Sequence, residues 1–329
     1  MKMLVPLAVV IVLIIVSLAG VEAAGLESIF GIVIPYLAFV IFVAGMIIRV
    51  IDWGKSPVPF RITTTCGQQQ SLPWIKQDKL ENPSTCTQTF ARMLLEVFLF
   101  RSLFRNLKTE MHDGKVVYGS DKWLWLFAII FHYSFLVVFI RHIRFFVGEV
   151  PEIIHIVEAL DSFFQVGVPL VYITGLTLIA GALFLFLRRI VIPQVRYISL
   201  PADYFPLFLI LAIAITGVLM RYFTKVDVVA VKNLTLGLVT LNPQIPEGIG
   251  VIFYVHFFLV CALFAYFPFS KLVHLGGVFL SPTRNLANNS RMERHVNPWN
   301  YPVKVHSYEE YEHEFKDKMK KAGLPVEKE

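Results

Sequence analysis

The sequence predicts an all-α integral membrane protein, a bundle of about six transmembrane helices. Of its 329 residues, 56% are hydrophobic and only 16% are charged, and the mean hydropathy is +0.64. This composition leaves more apolar surface than a water-soluble fold can bury, so lipid must cover the remainder. The net charge is +6. In a membrane protein the distribution of the basic residues says more about orientation than about nucleic-acid binding, and no nucleic-acid partner is expected.

Six apolar runs are long enough to cross the hydrocarbon core, which takes roughly 20 helical residues. They lie near residues 4–20, 29–48, 123–143, 166–187, 205–220 and 249–269. The first run also resembles a secretory signal peptide, because Lys2 precedes it and the small-residue sequence Val21-Glu22-Ala23-Ala24 follows it. Its length favours an uncleaved span.

Basic residues predict which connections face the cytoplasm. Residues 51–120 carry nine Lys or Arg against six Asp or Glu, and the connection 188–196 carries three Arg and no acid. Between Phe145 and Gln165 there is no Lys or Arg, so this loop is expected outside the cell membrane. Both termini are then cytoplasmic. The loop 223–247 is charge-balanced and does not indicate on which side of the membrane it lies.

Two segments outside the apolar runs have a helical pattern. From Thr89 to Leu107, charged residues interrupt an apolar stretch, as in a helix lying on the membrane surface or against a partner. In the tail, Ser307 and Glu310 form a capping box, and a helix that starts there is expected to end at Gly323.

Four of the nine histidines fall in or at the ends of two apolar runs. They are His132 and His142 in the third run and His256 and His274 in the sixth. At 1.5 Å per residue, the first pair is about 15 Å apart along its helix and the second about 27 Å. If the two helices run antiparallel, His142 pairs with His256 on the outer side and His132 with His274 on the inner side.

Two imidazoles facing each other across a gap between helices suit an iron porphyrin, so the pattern predicts two bis-histidine haem b groups. Ionisable groups at membrane depth are costly and usually functional. The unequal spacings count against this reading, although a bend at Pro268 would absorb the difference. The alternative is that the histidines form hydrogen bonds within the bundle. The three cysteines do not form a CxxC motif, so any iron–sulfur cluster belongs to a partner.

Several basic residues at the ends of the runs are candidates to bind haem propionates. They are Arg141, Arg144 and Arg221 at the outer ends and Arg188, Arg189 and Lys271 at the inner ends. An alternative is that they snorkel to the membrane boundary. In the outer loop, His155 and Glu158 offer a proton acceptor for a quinol, or belong to an ordinary solvated acidic surface.

These patterns divide the chain into four segments. The segments are residues 1–50 with two spans, 51–120 with a cytoplasmic insertion, 121–275 with a four-helix di-haem core, and 276–329 with a cytoplasmic tail.

The spacings His-x9-His and His-x17-His resemble the gamma subunit of respiratory nitrate reductase, a membrane cytochrome b with two bis-histidine haems. The match covers roughly the last five spans. Stretches such as 67–76, Asn82-Pro83-Ser84-Thr85, 100–106 and 297–302 resemble a narrower group, the DsrM-type cytochrome b subunit of the Hme complex associated with dissimilatory sulfite reduction.

The resemblance implies electron exchange with menaquinone in sulfate or sulfite respiration, as the electron-transfer subunit of a quinone-linked oxidoreductase complex. It implies a cytoplasmic iron–sulfur subunit similar to that of heterodisulfide reductase, a periplasmic multihaem cytochrome c and further membrane subunits. It also places the haem ligands at His132, His142, His256 and His274. A proton-coupled transporter and a haem-free membrane anchor remain alternatives.

Overall fold

The fold is described from a computed structural model, which covers residues 2–56, 67–163, 169–293 and 305–327. Within these residues, six helices are long and apolar enough to cross a membrane. The expected all-α membrane bundle is therefore confirmed, and the chain is a multi-pass membrane protein. The spans are Leu4–Glu22, Ile29–Gly54, Lys122–Phe145, Ile173–Val191, Pro201–Thr224 and Val251–Phe269.

The described elements follow one another in this order. The helices are α1 (Leu4–Glu22), α2 (Ile34–Gly54), α3 (Cys86–Leu99), α4 (Arg101–Phe104), α5 (Lys122–His142), α6 (Glu152–Asp161), α7 (Ile173–Val191), α8 (Pro193–Ile198), α9 (Pro201–Val218), α10 (Val228–Val239), α11 (Val251–Tyr266), α12 (His274–Leu280), α13 (Pro282–Asn285) and α14 (Tyr308–Lys321). The strands are β1 (Leu107–His112) and β2 (Lys115–Ser120). Two π-helical turns, Ile29–Val33 and Leu219–Thr224, extend the second and fifth spans.

The spans pack in a chain of neighbours, with α5 against α7, α7 against α9, and α9 against α11. The added helices α1 and α2 pack on α11, and α1 also contacts α9. Leu209 and Leu259 are fully buried where α9, α11 and α1 meet. Since α5 and α11 make no comparable contact, a space between these two helices is left to side chains.

The sixth span is broken where proline was expected to bend it. Helix α11 ends at Tyr266, a 3₁₀ turn covers Phe267–Phe269, and Ser270 is extended before a second 3₁₀ turn leads into α12. Proline has no backbone N–H to continue the helix. His274 therefore starts a separate helix, and the axial distance of about 27 Å computed for a continuous helix does not apply.

Other element boundaries differ from those expected. The fourth span begins at Ile173 rather than near residue 166, and residues 164–168 lie outside the described ranges. The charge-balanced loop contains the apolar helix α10. Residues 107–120 form a hairpin around Asp113 and Gly114, both at positive φ, which is the backbone that a two-residue hairpin turn requires.

The helix expected from Thr89 to Leu107 ends at Leu99, because Phe100 adopts a left-handed conformation with φ 48°. In α3, Thr89, Arg92 and Glu96 are buried, while the apolar side chains on the other side of the helix are exposed. The polar face of α3 is thus directed into the protein.

A polar network joins the insertion to the segment after α12. Arg284 Nη1 lies 2.9 Å from Glu96 Oε2 and also donates to Ser102 Oγ. Asn288 Nδ2 donates to Asn82 Oδ1 at 2.8 Å. Residues 67–106 together with 281–290 are called the cap below.

Buried charges in the cap are paired. Arg92 donates to the carbonyl oxygen of Glu81 and lies 3.8 Å from Glu96. Burial lowers the pKa of the Arg92 guanidinium, whereas the carboxylates of Glu96 and Glu81 oppose that shift. Glu81 also pairs with Arg101 and Arg105. Because an unpaired buried charge is costly, these contacts hold the cap in one arrangement.

The tail helix α14 has the expected N-terminus. Ser307 Oγ accepts a hydrogen bond from the Glu310 amide, and the Glu310 carboxylate accepts one from the Ser307 amide. The helix ends at Lys321, two residues before Gly323 at φ 70°.

Candidate functional site

The structure brings the four membrane histidines together as two pairs. The ring centroids of His142 and His256 are 6.5 Å apart with an interplanar angle of 19°. Those of His132 and His274 are 5.9 Å apart with an angle of 84°. These are the two pairs that an antiparallel arrangement predicts, and they lie in the space between α5 and the sixth span.

The pairs lie at two depths. His132 and His142 are ten residues apart on α5, which is about 15 Å along the helix axis. The His132 pair is closer to the start of α5, on the side that carries residues 67–120, called here the insertion side. The His142 pair is close to the end of α5, on the opposite side.

Hydrogen bonds fix the protonation of three rings. Nδ1 of His132 lies 2.7 Å from the Ala128 carbonyl oxygen, and Nδ1 of His142 lies 2.6 Å from that of Val138. His274 Nδ1 contacts the Lys271 carbonyl oxygen at 2.9 Å. A carbonyl oxygen only accepts, so Nδ1 carries the hydrogen in each ring and the lone pair of a neutral ring is on Nε2.

His256 is oriented by α9. Its Nδ1 lies 2.9 Å from Thr216 Oγ1, and the same hydroxyl is 2.8 Å from the Ala212 carbonyl oxygen. If Thr216 donates to Ala212, it accepts from His256, and Nε2 is again the unprotonated nitrogen. The next residue, Gly217, makes room, because a Cβ there would lie 3.4 Å from His256 Cε1.

The insertion-side pair is covered in part by the cap. The ring of Phe100 meets His132 edge-on with centroids 5.0 Å apart. Phe131 makes a similar contact at 5.1 Å. The left-handed backbone at Phe100 therefore ends α3 and also places an aromatic side chain against His132.

The histidine pairs fit the axial ligands of a haem. With metal–nitrogen distances of about 2 Å on both sides, two imidazole centroids lie roughly 6 to 6.5 Å apart, close to the observed 5.9 and 6.5 Å. Ligating histidines commonly donate their second N–H to a carbonyl or hydroxyl oxygen. Among the described residues, no His, Cys, Asp or Glu group of three or more is suited to hold a metal ion. Two nitrogens suit a metal whose remaining ligands come from a macrocycle.

The basic residues predicted to bind propionates have partners in the protein. Arg141 pairs with Asp161 at 2.9 Å, Arg144 with Glu158 at 2.5 Å, and Lys271 with Asp203 at 2.7 Å. Within the described ranges, Arg221 has no carboxylate partner. Its guanidinium donates to the Leu170 carbonyl oxygen.

An aromatic ring connects two of these arginines on the opposite side. The guanidinium carbons of Arg141 and Arg221 lie 3.8 and 4.0 Å from the centroid of Tyr172. Asp161 is buried and accepts hydrogen bonds from the amide and hydroxyl of Thr174. His155 Nδ1 is 4.0 Å from the carboxylate of Glu158, which forms an ion pair with Arg144. Neither Tyr172 nor Thr216 could be identified from the sequence, since aromatic and hydroxyl side chains are common in membrane helices.

Residues 100–294 match the family described as nitrate reductase gamma subunit. The chain belongs to this family. The match begins at Phe100 and covers α5 to α13, so it includes all four paired histidines. Helices α1, α2 and α3 precede the matched region.

Two curated relatives extend the similarity beyond the family's matched region. One, described as an Hdr-like menaquinol oxidoreductase cytochrome b-like subunit of Archaeoglobus fulgidus, is 49% identical over 278 residues, covering 82% of this chain and 83% of the relative. A protein of the same description from Archaeoglobus profundus is 45% identical over 274 residues, covering 81% of each chain. The narrower DsrM-type resemblance stays a prediction.

Proposed function

We propose that this chain is a di-haem cytochrome b subunit that exchanges electrons between menaquinone and a cytoplasmic iron–sulfur protein. The observation that supports it best is that the four histidines lie in two pairs, at two different depths of the helix bundle. His142 and His256 would hold one haem, and His132 and His274 the other. Held by two imidazoles, such a group would supply one-electron transfer.

The surrounding residues orient these ligands. The carbonyl oxygens of Ala128, Val138 and Lys271 contact Nδ1 of three rings, and Thr216 contacts Nδ1 of the fourth. Nε2 of each ring is therefore the nitrogen that would bind a metal. Arg221 is five residues beyond Thr216 and lacks a carboxylate partner among the described residues, so it is the best-placed cation for a propionate. The other three candidates already pair with carboxylates of the protein, so a propionate would have to share each cation with that carboxylate. They are Arg141, Arg144 and Lys271.

Menaquinone enters the proposal through the relatives, both of which are described as menaquinol oxidoreductase subunits. The charge pattern supports a cytoplasmic insertion side in the cell membrane. The quinone would then be handled near the His142 pair, and the iron–sulfur subunit would dock over the His132 pair. A periplasmic multihaem cytochrome c, further membrane subunits and a role in sulfate or sulfite respiration rest on the resemblance stated above.

The proposed docking surface for the iron–sulfur subunit is the water-facing side of the cap and the tail. The tail also contains Trp299 and Tyr301, two large aromatic residues of the kind that anchor interfaces, and both lie outside the described residues. Truncation after Glu293 retains the contacts of Arg284 and Asn288 and removes α14. Both haems should remain reducible by menaquinol, while oxidation by the partner is lost. A truncated chain that still binds and reduces the partner would contradict docking through the tail.

Haem stoichiometry tests the main proposal. Extraction and a pyridine haemochrome assay of the purified chain should give two non-covalent haem b groups, and one or none would refute it. His142→Ala and His256→Ala should remove the same spectral component, and His132→Ala and His274→Ala the other. His155→Ala, in the loop helix α6, is the matched control and should leave both components. A haem-free anchor or a transporter would show no haem b bands.

A further inference from the structure

The exposed face of α3 is apolar and lies opposite its buried polar face. Phe90, Leu94 and Phe98 follow one another at intervals of four residues and are 64%, 41% and 56% exposed. Thr89, on the other face with Arg92 and Glu96, is buried. A helix with this pattern has its hydrophilic contacts supplied by the protein, so its hydrophobic side chains need an environment other than water.

The carbonyl groups at the C-terminal end of α3 are hydrogen-bonded by side chains of a membrane span. Trp125 Nε1 donates to the Leu99 carbonyl oxygen at 2.8 Å, and the Tyr133 hydroxyl donates to that of Phe98 at 2.9 Å. The last carbonyls of a helix have no partner within the helix and are ordinarily hydrated. In lipid they must be satisfied by protein donors, and here the donors come from α5.

These donors also give the depth of α3. Trp125 and Tyr133 both lie within the span Lys122–Phe145 and are eight residues apart, about 12 Å along the axis. Because they reach adjacent carbonyl oxygens, the end of α3 lies beside the first half of this span. Interfacial helices sit about 5–10 Å into the boundary between headgroups and acyl chains.

Apolar side chains are also exposed on the span that bonds the end of α3. On α5, Trp123 and Leu136 are 67% and 49% exposed, as expected of a span that faces lipid. Lys122, at the start of α5, places its ammonium 5.1 Å from the ring centroid of Phe104. A basic side chain that lies along an aromatic surface is typical of the headgroup boundary.

We propose that α3 is embedded in the leaflet on the insertion side, with Phe90, Leu94 and Phe98 in contact with acyl chains. The occupant of this apolar face is lipid, because the end of the helix is hydrogen-bonded to side chains within a membrane span. The helix thereby holds Phe100 against His132 and separates that side chain from the bilayer. This inference depends on the membrane spans alone and holds or fails independently of the haem proposal.

Depth-dependent quenching of single-cysteine variants tests the proposal. Cys66 and Cys86 are first replaced by serine, and Cys261 is left because it is buried. Bimane is then attached to Leu94→Cys or Phe98→Cys in the full chain in phosphatidylcholine–phosphatidylglycerol nanodiscs. Leu136→Cys on α5 is the lipid control, and Lys79→Cys on the exposed part of the cap is the water control.

Lipids with a nitroxide on the acyl chain should quench the labels at 94 and 98 as strongly as at 136, and at least threefold more than at 79. Aqueous iodide should show the reverse order. Iodide quenching at 94 and 98 equal to that at 79 would overturn the proposal. Loss of lipid quenching when the chain is purified with its partner subunits would also overturn it, since a protein would then cover this face.

Discussion

Each paired histidine is oriented by a single contact at Nδ1, and three of these contacts use the backbone of the same helix or turn. A histidine bonded to the carbonyl four residues earlier needs no second element to fix its tautomer. His256 differs, because its partner Thr216 lies on α9. The position of His256 therefore depends on the packing of α9 against α11, whereas its partner His142 is fixed locally, as is His132.

If the proposed haems are bound, the ring planes predict two distinct low-spin signals. The nearly parallel imidazoles of His142 and His256 would give a rhombic electron paramagnetic resonance spectrum. The nearly perpendicular imidazoles of His132 and His274 would give a highly anisotropic signal with a large g value. The oxidised chain should show both. In His142→Ala the rhombic signal should be lost, and two identical signals in the intact chain would contradict the ring geometry.

Replacing Thr216 with valine should loosen one ligand without removing it. The variant leaves the Nδ1–H of His256 unpaired, which costs about 1–3 kcal/mol for a buried donor. A ligand whose N–H has no acceptor donates less charge to a metal, so the midpoint potential of the haem proposed at this pair should rise. Redox titration checks this. Thr216→Ser should restore the original potential, and an unchanged potential in Thr216→Val would exclude the positioning role.

At this scale the sequence predicts the residue types and their partners but not their surroundings. Spacing along two helices is sufficient to pair His142 with His256 because both lie in regular helix. It does not identify Thr216 or Tyr172, which reach the site from other elements. Nor does it show that Arg141 is bound by Asp161, because residues 141 and 161 are brought together only by the turn and helix between the third and fourth spans.

At the scale of elements, apolar length predicts the six spans well because crossing a bilayer requires a nearly fixed number of residues. The breaks are less predictable. Pro268 marks the end of α11, but the extended Ser270 and the restart at His274 depend on local contacts. The hairpin at Asp113 and Gly114 had a recognisable turn signal. Burial of the polar face of α3 had no recognisable signal in the sequence, since its buried charges are paired by distant residues such as Arg284.

The close approach of α7 to α5 at Gly181 predicts a sensitive position. A Cβ at Gly181 would lie 3.1 Å from both the Cα and Cβ of Phe131, and Phe131 adjoins His132. Gly181→Leu should push the helices apart, with an overpacking cost of about 1–3 kcal/mol, and should perturb the anisotropic signal before the rhombic one. Gly175→Ala on the same helix meets no atom within 4 Å and is the control. Equal thermal stability and spectra in both variants would contradict this packing.

For the whole molecule, the cap connects three parts that are distant in sequence. Glu96 of α3 holds Arg284, which follows α12 and its His274, while Phe100 at the end of α3 contacts His132. One histidine of the insertion-side pair is thus contacted by the cap, and the helix that begins at the other, His274, leads into it. The opposite-side pair has no contact with the cap among the described residues.

Arg284→Ala should therefore act on one pair only. The variant leaves the buried Glu96 carboxylate with Arg92 and Ser102 alone, and a lost charged hydrogen bond costs about 1–3 kcal/mol. We expect faster limited proteolysis within residues 67–120 and a shift of the signal from the His132 pair, with the signal from the His142 pair unchanged. Arg291→Ala, exposed and close in sequence, is the control and should change neither. If Arg284→Ala altered both signals equally, the effect would be general destabilisation, because only the insertion-side pair depends on the cap.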